Sequence, residues 1–277
     1  MIQNKTIRIG HSPDSDDAFM FWGLAKNKVE TQFEFEHILK DIQTLNEWAM
    51  EGKLETTAIS VHAYAYVADK YALLRHGGSF GEGYGPMIVA KKSLSREELE
   101  QTTIAIPGKL TSAFLQLNLY IENPQYEVLP FDEIIDAVKE GKYQAGLIIH
   151  EGQLTWEQEG LVCVADFGKW WHGETGLPLP LGVNVVRKDL GEETINEINR
   201  VMKESIKQSL ENRKEALEYA LQFGRGIDEQ TGDEFVGMYV NERTLDMGED
   251  GLKAIRLLLQ KGAEIGLVPE VKIEVVE

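Results

Sequence analysis

Apolar and polar residues alternate from Thr6 to Gly10 and again from Phe33 to Leu39, the period of two expected of strands that bury one face. Between them His11-Ser12-Pro13-Asp14-Ser15-Asp16-Asp17 breaks the alternation, and Ala18-Phe19-Met20-Phe21-Trp22-Gly23-Leu24-Ala25 reads as the start of a helix. Asp14 or Ser15 would cap it, and the acids suit the positive end of its dipole. Asp41 opens a second helix, in which Ile42, Leu45, Trp48 and Ala49 share one face. Thr57 to Val61 is a short β-prone run and Tyr64 to Ala68 a helical one. The glycine cluster from Gly77 to Gly85 marks a loop, with the strand Pro86 to Ala90 leaving it.

A second series begins near Ser95. Glu97 to Gln101 reads as helix, Thr103 to Ile106 as strand, Pro107-Gly108 as a turn and Thr111 to Ile121 as an amphipathic helix. Val128-Leu129 is a strand and Asp132 to Glu140 a helix. Ala145-Gly146-Leu147-Ile148-Ile149 is an unbroken apolar strand, the pattern of one covered on both faces. Val162 to Asp166 follows as another strand. Leu177-Pro178-Leu179-Pro180-Leu181-Gly182 has no regular period, and its prolines and glycine suit a linker. After the strand Val183 to Arg187 the pattern is helical over Glu192 to Leu210, Arg213 to Phe223, Asp228 to Val240 and Gly251 to Ala263.

Strands alternating with helices imply an α/β protein built from βαβ units and parallel sheets. Two such series, with strands 86–90 and 183–187 each running into basic residues, describe a chain that crosses to a second lobe and returns. The expected division is a discontinuous larger lobe, 1–88 plus 185–277, and an inserted smaller lobe, 89–184. A ligand cleft belongs between them, at the carboxyl ends of the strands.

Composition narrows the function. With 46 acidic against 28 basic side chains, the 277-residue chain has a formal charge of −18. That argues against nucleic acid and anionic membrane surfaces as partners, while a locally positive pocket for an anionic small molecule remains open. The lone Cys163 excludes an internal disulfide and a tetrathiolate zinc site, and fits a reducing compartment. The opening Met-Ile-Gln-Asn-Lys-Thr has no apolar h-region and no run approaches a membrane span, so the expected location is cytoplasmic. The pattern leaves the oligomeric state open, a homodimer included.

His150 ends the buried strand Gly146 to Ile149, where an imidazole faces the crevice and can transfer protons near neutrality. The alternative is a histidine that only finishes a strand. Glu151, if still in the strand, points to the other face, against a direct His–Glu pair. The segment Pro107 to Ala113 joins a strand to a helix. There the hydroxyls of Thr111 and Ser112 and free N–H groups offer an anion seat, or plain capping by Thr111. Ile59-Ser60-Val61 ends another strand and sets Ser60 on the cleft rim, where most serines merely cap or turn. Neither serine has the G-x-S-x-G setting of an acyl-transfer nucleophile. Asp14, Asp16 and Asp17 lack the glycine and distal glutamate of a Ca²⁺ loop, and no histidine spacing supports zinc, so no metal is expected. Trp170-Trp171 would stack on an aromatic ligand or, more commonly for such rings, pack the return crossing.

Taken together, the segments Ile9 to Phe21, Gly146 to Glu151 and Thr175 to Gly182 resemble the 1,4-dihydroxy-6-naphthoate synthase family of the futalosine route to menaquinone, over about residues 6 to 260. The resemblance implies a two-lobed fold like that of type II periplasmic binding proteins, with two sheets flanked by helices and a central cleft. It implies a lyase that converts cyclic dehypoxanthinyl futalosine to 1,4-dihydroxy-6-naphthoate and a three-carbon fragment, dihydroxyacetone, without cofactor or metal. The family's base is the histidine matching His150, and its substrate contacts match Ile59-Ser60-Val61 and a Thr-Thr pair that here is Thr111-Ser112. Some members read Ser-Pro-Cys-Pro-Asn-Asp-Thr where this chain has Ser-Pro-Asp-Ser-Asp-Asp-Ala, so no role carries over to Asp14, Asp16 or Asp17. The alternatives are chorismate dehydratase of the same pathway, a solute-binding protein of an importer, and an effector-sensing regulator, for whose DNA-binding helices strand one begins too early.

Overall fold

The computed structural model describes residues 5–223 and 228–277; Met1 to Asn4, which opens the segment read as lacking a leader, lies outside them. The chain starts with β1 (Lys5–His11), the short helices α1 (Ser15–Met20) and α2 (Trp22–Ala25), and β2 (Phe33–Leu39), paired in parallel from Lys5 with Phe33 to His11 with Leu39. Asp41 caps α3 (Ile42–Glu51) by accepting the Thr44 N–H, and Gly52 ends it in the left-handed conformation. The strand β3 (Thr56–Ser60), the helix α4 (Val61–Val67) and the strands β4 (Tyr71–Leu74) and β5 (Ser79–Gly81) complete this first run.

A second sheet then takes over with β6 (Met87–Ala90), α5 (Arg96–Glu100), β7 (Ile104–Ile106), α6 (Ser112–Tyr120) and β8 (Tyr126–Val128). It closes with α7 (Ile134–Glu140), β9 (Ala145–Ile148), α8 (Gly152–Thr155), β10 (Val162–Asp166) and α9 (Phe167–Thr175). The chain returns to the first sheet through β11 (Leu179–Arg187). The helices α10 (Glu192–Glu211), α11 (Arg213–Ala220), α12 (Glu229–Tyr239), α13 (Glu242–Leu245) and α14 (Gly248–Glu264) precede the terminal β12 (Val275–Val276). The seven-stranded sheet has the order β12-β4-β11-β3-β1-β2, with β5 on β11; the five-stranded sheet has the order β10-β6-β9-β7-β8.

Two sequence expectations change here. The sheets are mixed rather than parallel throughout: β6 runs antiparallel to β9 and β10, and β11 antiparallel to β3, β4 and β5. These strands lie beside the two crossings, and a strand that enters a sheet without a crossover helix is free to run either way. The expected linker at 177–182 is largely strand, because β11 begins at Leu179. Pro180 is tolerated beside the three-residue β5, with a register shift between Pro180 and Gly182.

Apolar packing follows the faces. Ile7, Ile9, Phe19 and Met202 fill one side of the first sheet; Val89, Ala105, Ile134 and Val138 fill one side of the second. A larger cluster, with Ile59, Leu73, Ile88 and Leu147, spans both sheets. Each fully buried Val, Leu, Ile, Phe or Met among them contributes about 1.5–3 kcal/mol. Trp171 is part of that cluster, its indole N–H donating to the Pro178 carbonyl at 3.0 Å, and Trp170 meets Tyr120 edge-on at 5.4 Å. Trp171 thus packs the return segment, and Trp170 packs on α6. Among the described residues, no helix is long and apolar enough to cross a membrane.

Candidate active site

A cavity lies between the two sheets, at the carboxyl ends of their strands. From the first sheet it is lined by Ser12, Asp16 and Asp17 after β1, by Ile59 and Ser60 at the end of β3, and by Leu181 to Val183 of β11. The second sheet brings Thr111, Ser112 and Ala113 at the start of α6, and Ile149, His150 and Gln153 after β9. Phe235 and Tyr239 of α12 close one side. Five of the six residues singled out in the sequence, Ile59, Ser60, Thr111, Ser112 and His150, thus line one cavity. Val61 does not: it is the first residue of α4 and points into the core, fully buried.

Asn46, on the buried face of α3, ties two of these segments together. Its Oδ1 accepts the Ser60 N–H at 2.8 Å, and its Nδ2 donates to Ser60 Oγ at 3.0 Å and to the Leu110 carbonyl at 3.2 Å. Gln43, one turn earlier, accepts the Leu110 N–H at 3.1 Å. A Cβ at Gly108 would lie 2.3 Å from Gln43 Oε1, so any larger residue in this turn would push the Gln43 side chain away from the Leu110 N–H. Thr111 is the N-cap of α6, accepting the Phe114 N–H at 3.1 Å while its hydroxyl donates to the Gly108 carbonyl at 2.8 Å. The Ser112 hydroxyl donates to the Leu181 carbonyl at 2.5 Å and accepts the His62 N–H at 3.3 Å. Both hydroxyls are therefore engaged within the protein. What the start of α6 offers the cavity is its first N–H groups, which a helix leaves without intrahelical acceptors, and their dipole favours an anion.

His150 adopts φ 56°, a left-handed conformation costing a non-glycine residue about 1–2 kcal/mol. The turn takes it out of strand geometry, so the period-two argument that set Glu151 on the opposite face does not apply. Glu151 instead precedes α8, buried, and accepts the Ser15 hydroxyl at 3.4 Å. The imidazole of His150 retains 17% exposure, meets the Phe131 ring edge-on at 4.8 Å, and has Nδ1 3.1 Å from Asp14 Oδ2. Gln153 supports the turn. With its amide oriented by its partners, the nitrogen donates to the Gly85 carbonyl at 2.7 Å, and the oxygen accepts the His150 N–H at 3.3 Å and the Tyr239 hydroxyl at 3.2 Å.

The acids after β1 do more than start a helix. Burial pushes the Asp17 carboxyl up to about 6, against the Ser12 N–H it accepts at 2.6 Å. Asp14 raises it further and His150 lowers it. Burial, and then Asp17, Asp14 and Glu151, also hold Asp16 well above the usual carboxylate range, and Asp16 Oδ1 has no hydrogen-bond partner among the described residues. His11 behind them is kept neutral by burial and by His37, its pKa lowered to about 3. Among the described residues, no group of three or more His, Cys, Asp or Glu side chains is arranged to hold a metal ion. Asn46, Gln153 and Tyr239 carried no sequence signal of their own, and Asp14 signalled only a helix start; each is recognised by a partner distant in the chain.

Two sheets joined by a crossing and a return, with a ligand-sized cavity between them, define an α/β protein with the fold of periplasmic binding proteins. The alkanesulfonate-binding protein of Xanthomonas axonopodis pv. citri superposes with a TM-score of 0.72 at 12% identity, over 98% of this chain and 96% of that one, a likeness of fold alone. Within this class, the chain belongs to the menaquinone biosynthesis family, whose model matches residues 7–264. It is 39% identical over 263 residues to the 1,4-dihydroxy-6-naphthoate synthase of Thermus thermophilus, covering 95% of this chain and 96% of that protein. A crystal structure of a protein from Archaeoglobus fulgidus is 46% identical, with a TM-score of 0.92 over 95% of this chain and 98% of that one.

Proposed function

We propose that this protein is a carbon–carbon lyase of menaquinone biosynthesis that converts cyclic dehypoxanthinyl futalosine to 1,4-dihydroxy-6-naphthoate, releasing dihydroxyacetone. The observation that carries the reading is the near full-length likeness to the Thermus thermophilus synthase. The cavity adds a histidine at the end of a central strand, opposite a helix start able to receive an anionic or strongly polar group.

In this reading the two lobes, 1–88 plus 185–277 and 89–184, with β6 and β11 running across those bounds, close on the substrate and exclude water. The free N–H groups of the helix start near Thr111 and Ser112, and the rim at Ile59 and Ser60, hold it. Neutral His150 takes a proton from the sugar-derived part, a retro-aldol-like cleavage follows, and aromatisation of the ring helps to drive it. No cofactor enters this scheme. Every group it uses comes from one chain, so it requires no partner subunit. A cytoplasmic location accords with a biosynthetic role.

Incubation of the purified protein with cyclic dehypoxanthinyl futalosine, and separately with chorismate, tests the reading. Formation of 1,4-dihydroxy-6-naphthoate from the first alone is expected. Dehydration of chorismate would establish the alternative enzyme, and tight binding without turnover would establish a solute-binding protein.

A further inference from the structure

We infer that Asp14 is a positioning residue for His150, supplied from the opposite sheet, and that it sets which imidazole nitrogen is free to take a proton. The inference rests on the reading of His150 as the base. Asp14 occupies the N-cap position of α1, where an aspartate ordinarily accepts a backbone N–H of the first turn; here its side chain makes no capping bond. It reaches His150 instead, with Oδ2 3.1 Å from Nδ1, and is only 1% exposed.

A carboxylate can only accept, so this contact requires the proton of a neutral His150 to sit on Nδ1, leaving the Nε2 lone pair for the substrate. A buried acid plays this part for the histidine of Ser-His-Asp sites, by fixing tautomer and ring orientation rather than by moving protons itself. Three further contacts hold the same ring and backbone: the edge of Phe131, the Gln153 amide and the left-handed turn. The two partners come from different sheets, Asp14 from the loop after β1 and His150 from the turn after β9. The pair therefore exists only while the sheets are together, which couples readiness of the base to closure of the cavity.

The test compares Asp14→Asn, Asp14→Ser and His150→Gln in turnover of cyclic dehypoxanthinyl futalosine, with ¹⁵N NMR of the His150 ring in the unliganded protein. Asn and Ser both retain N-cap capacity, so either variant keeps the helix start. The Asp14 variants should lose about 100-fold in kcat with little change in KM, and the His150 tautomer should shift from Nδ1–H toward Nε2–H. Wild-type kcat in both Asp14 variants, with His150→Gln inactive, would overturn the inference while leaving the base assignment standing. A fall in kcat with an unmoved tautomer would overturn it as well, showing a merely structural role. Wild-type turnover by His150→Gln would remove the base assignment and this inference together.

Discussion

Asn46 and Ser60 bind each other reciprocally: the amide oxygen accepts the serine N–H at 2.8 Å while the amide nitrogen reaches the serine hydroxyl at 3.0 Å. Because the same nitrogen also reaches Leu110, one buried side chain fixes the distance between the rim of the first sheet and the anchor loop of the second. Replacement by alanine leaves Ser60 and Leu110 backbone groups unsatisfied, a loss of about 2 kcal/mol. Urea unfolding of Asn46→Ala should show this as a lower midpoint with an unchanged slope, and the variant's KM should rise.

His150→Ala should abolish turnover, by about 1,000-fold or more, while leaving folding and substrate binding largely intact. Product formation and calorimetric titration with substrate separate the two effects. Near wild-type naphthoate formation would end the assignment of His150 as base.

Stability should fall in acid through buried neutral histidines. His76 donates from Nε2 to the Asn199 carbonyl at 2.8 Å, and burial lowers its pKa from 6.5 to about 4. The unfolded chain thus binds a proton at higher pH than the folded one does. The stabilisation from His76 is complete above about pH 6.5 and is lost as pH falls toward 4, at most about 3 kcal/mol for this residue. The unfolding free energy of His76→Gln, measured across that range, should fall less steeply than that of the wild type.

Asp17 acts with the opposite sign. Its folded pKa, about 6, lies above the 3.8 of an ordinary aspartate, so the stabilisation it gives is present in acid and lost as pH rises toward 6. Asp17→Asn should therefore gain on the wild type as pH rises from 4 to 6.5, a trend readable in paired thermal melts. Equal pH profiles would show that the carboxyl is not held protonated.

At Gly108 the close approach to Gln43 predicts a graded effect. Gly108→Ala should destabilise the protein by about 1–3 kcal/mol and raise KM, because the added Cβ displaces the Gln43 side chain that accepts the Leu110 N–H. Adding Gln43→Ala, which removes the colliding atoms, should recover part of the stability. Additive losses in this double-mutant cycle would place the cause elsewhere.

Much of the scaffold was legible because its signals are local. Phe33 to Leu39 alternates and is a strand to the residue; Asp41 caps the helix it was expected to open. That His150 lines the cavity is legible from its place after a buried strand, and that Thr111 does so from its place before a helix. Tyr71 to Leu74 was missed as a strand because all four residues are buried, which erases alternation. Leu177 to Gly182 reads as a linker because prolines mask the start of a strand, from Leu179, whose partner β5 lies about 100 residues earlier. Asn46 and Gln153 lie out of reach for a related reason: what makes each of them matter is a neighbour brought close only by the folded chain, 64 residues away for Asn46 and Leu110 and 86 for Gln153 and Tyr239.

The order of strands also bears on how the chain acquires its shape during synthesis. The five-stranded sheet has all its members by Asp166, but the seven-stranded sheet waits for Arg187 to complete β11 and for Val275 to pair with Leu73. Contacts between such distant partners form slowly, since loop closure precedes the reward of pairing. On the ribosome, the inserted sheet can close while the first sheet still holds an unfilled slot at its centre.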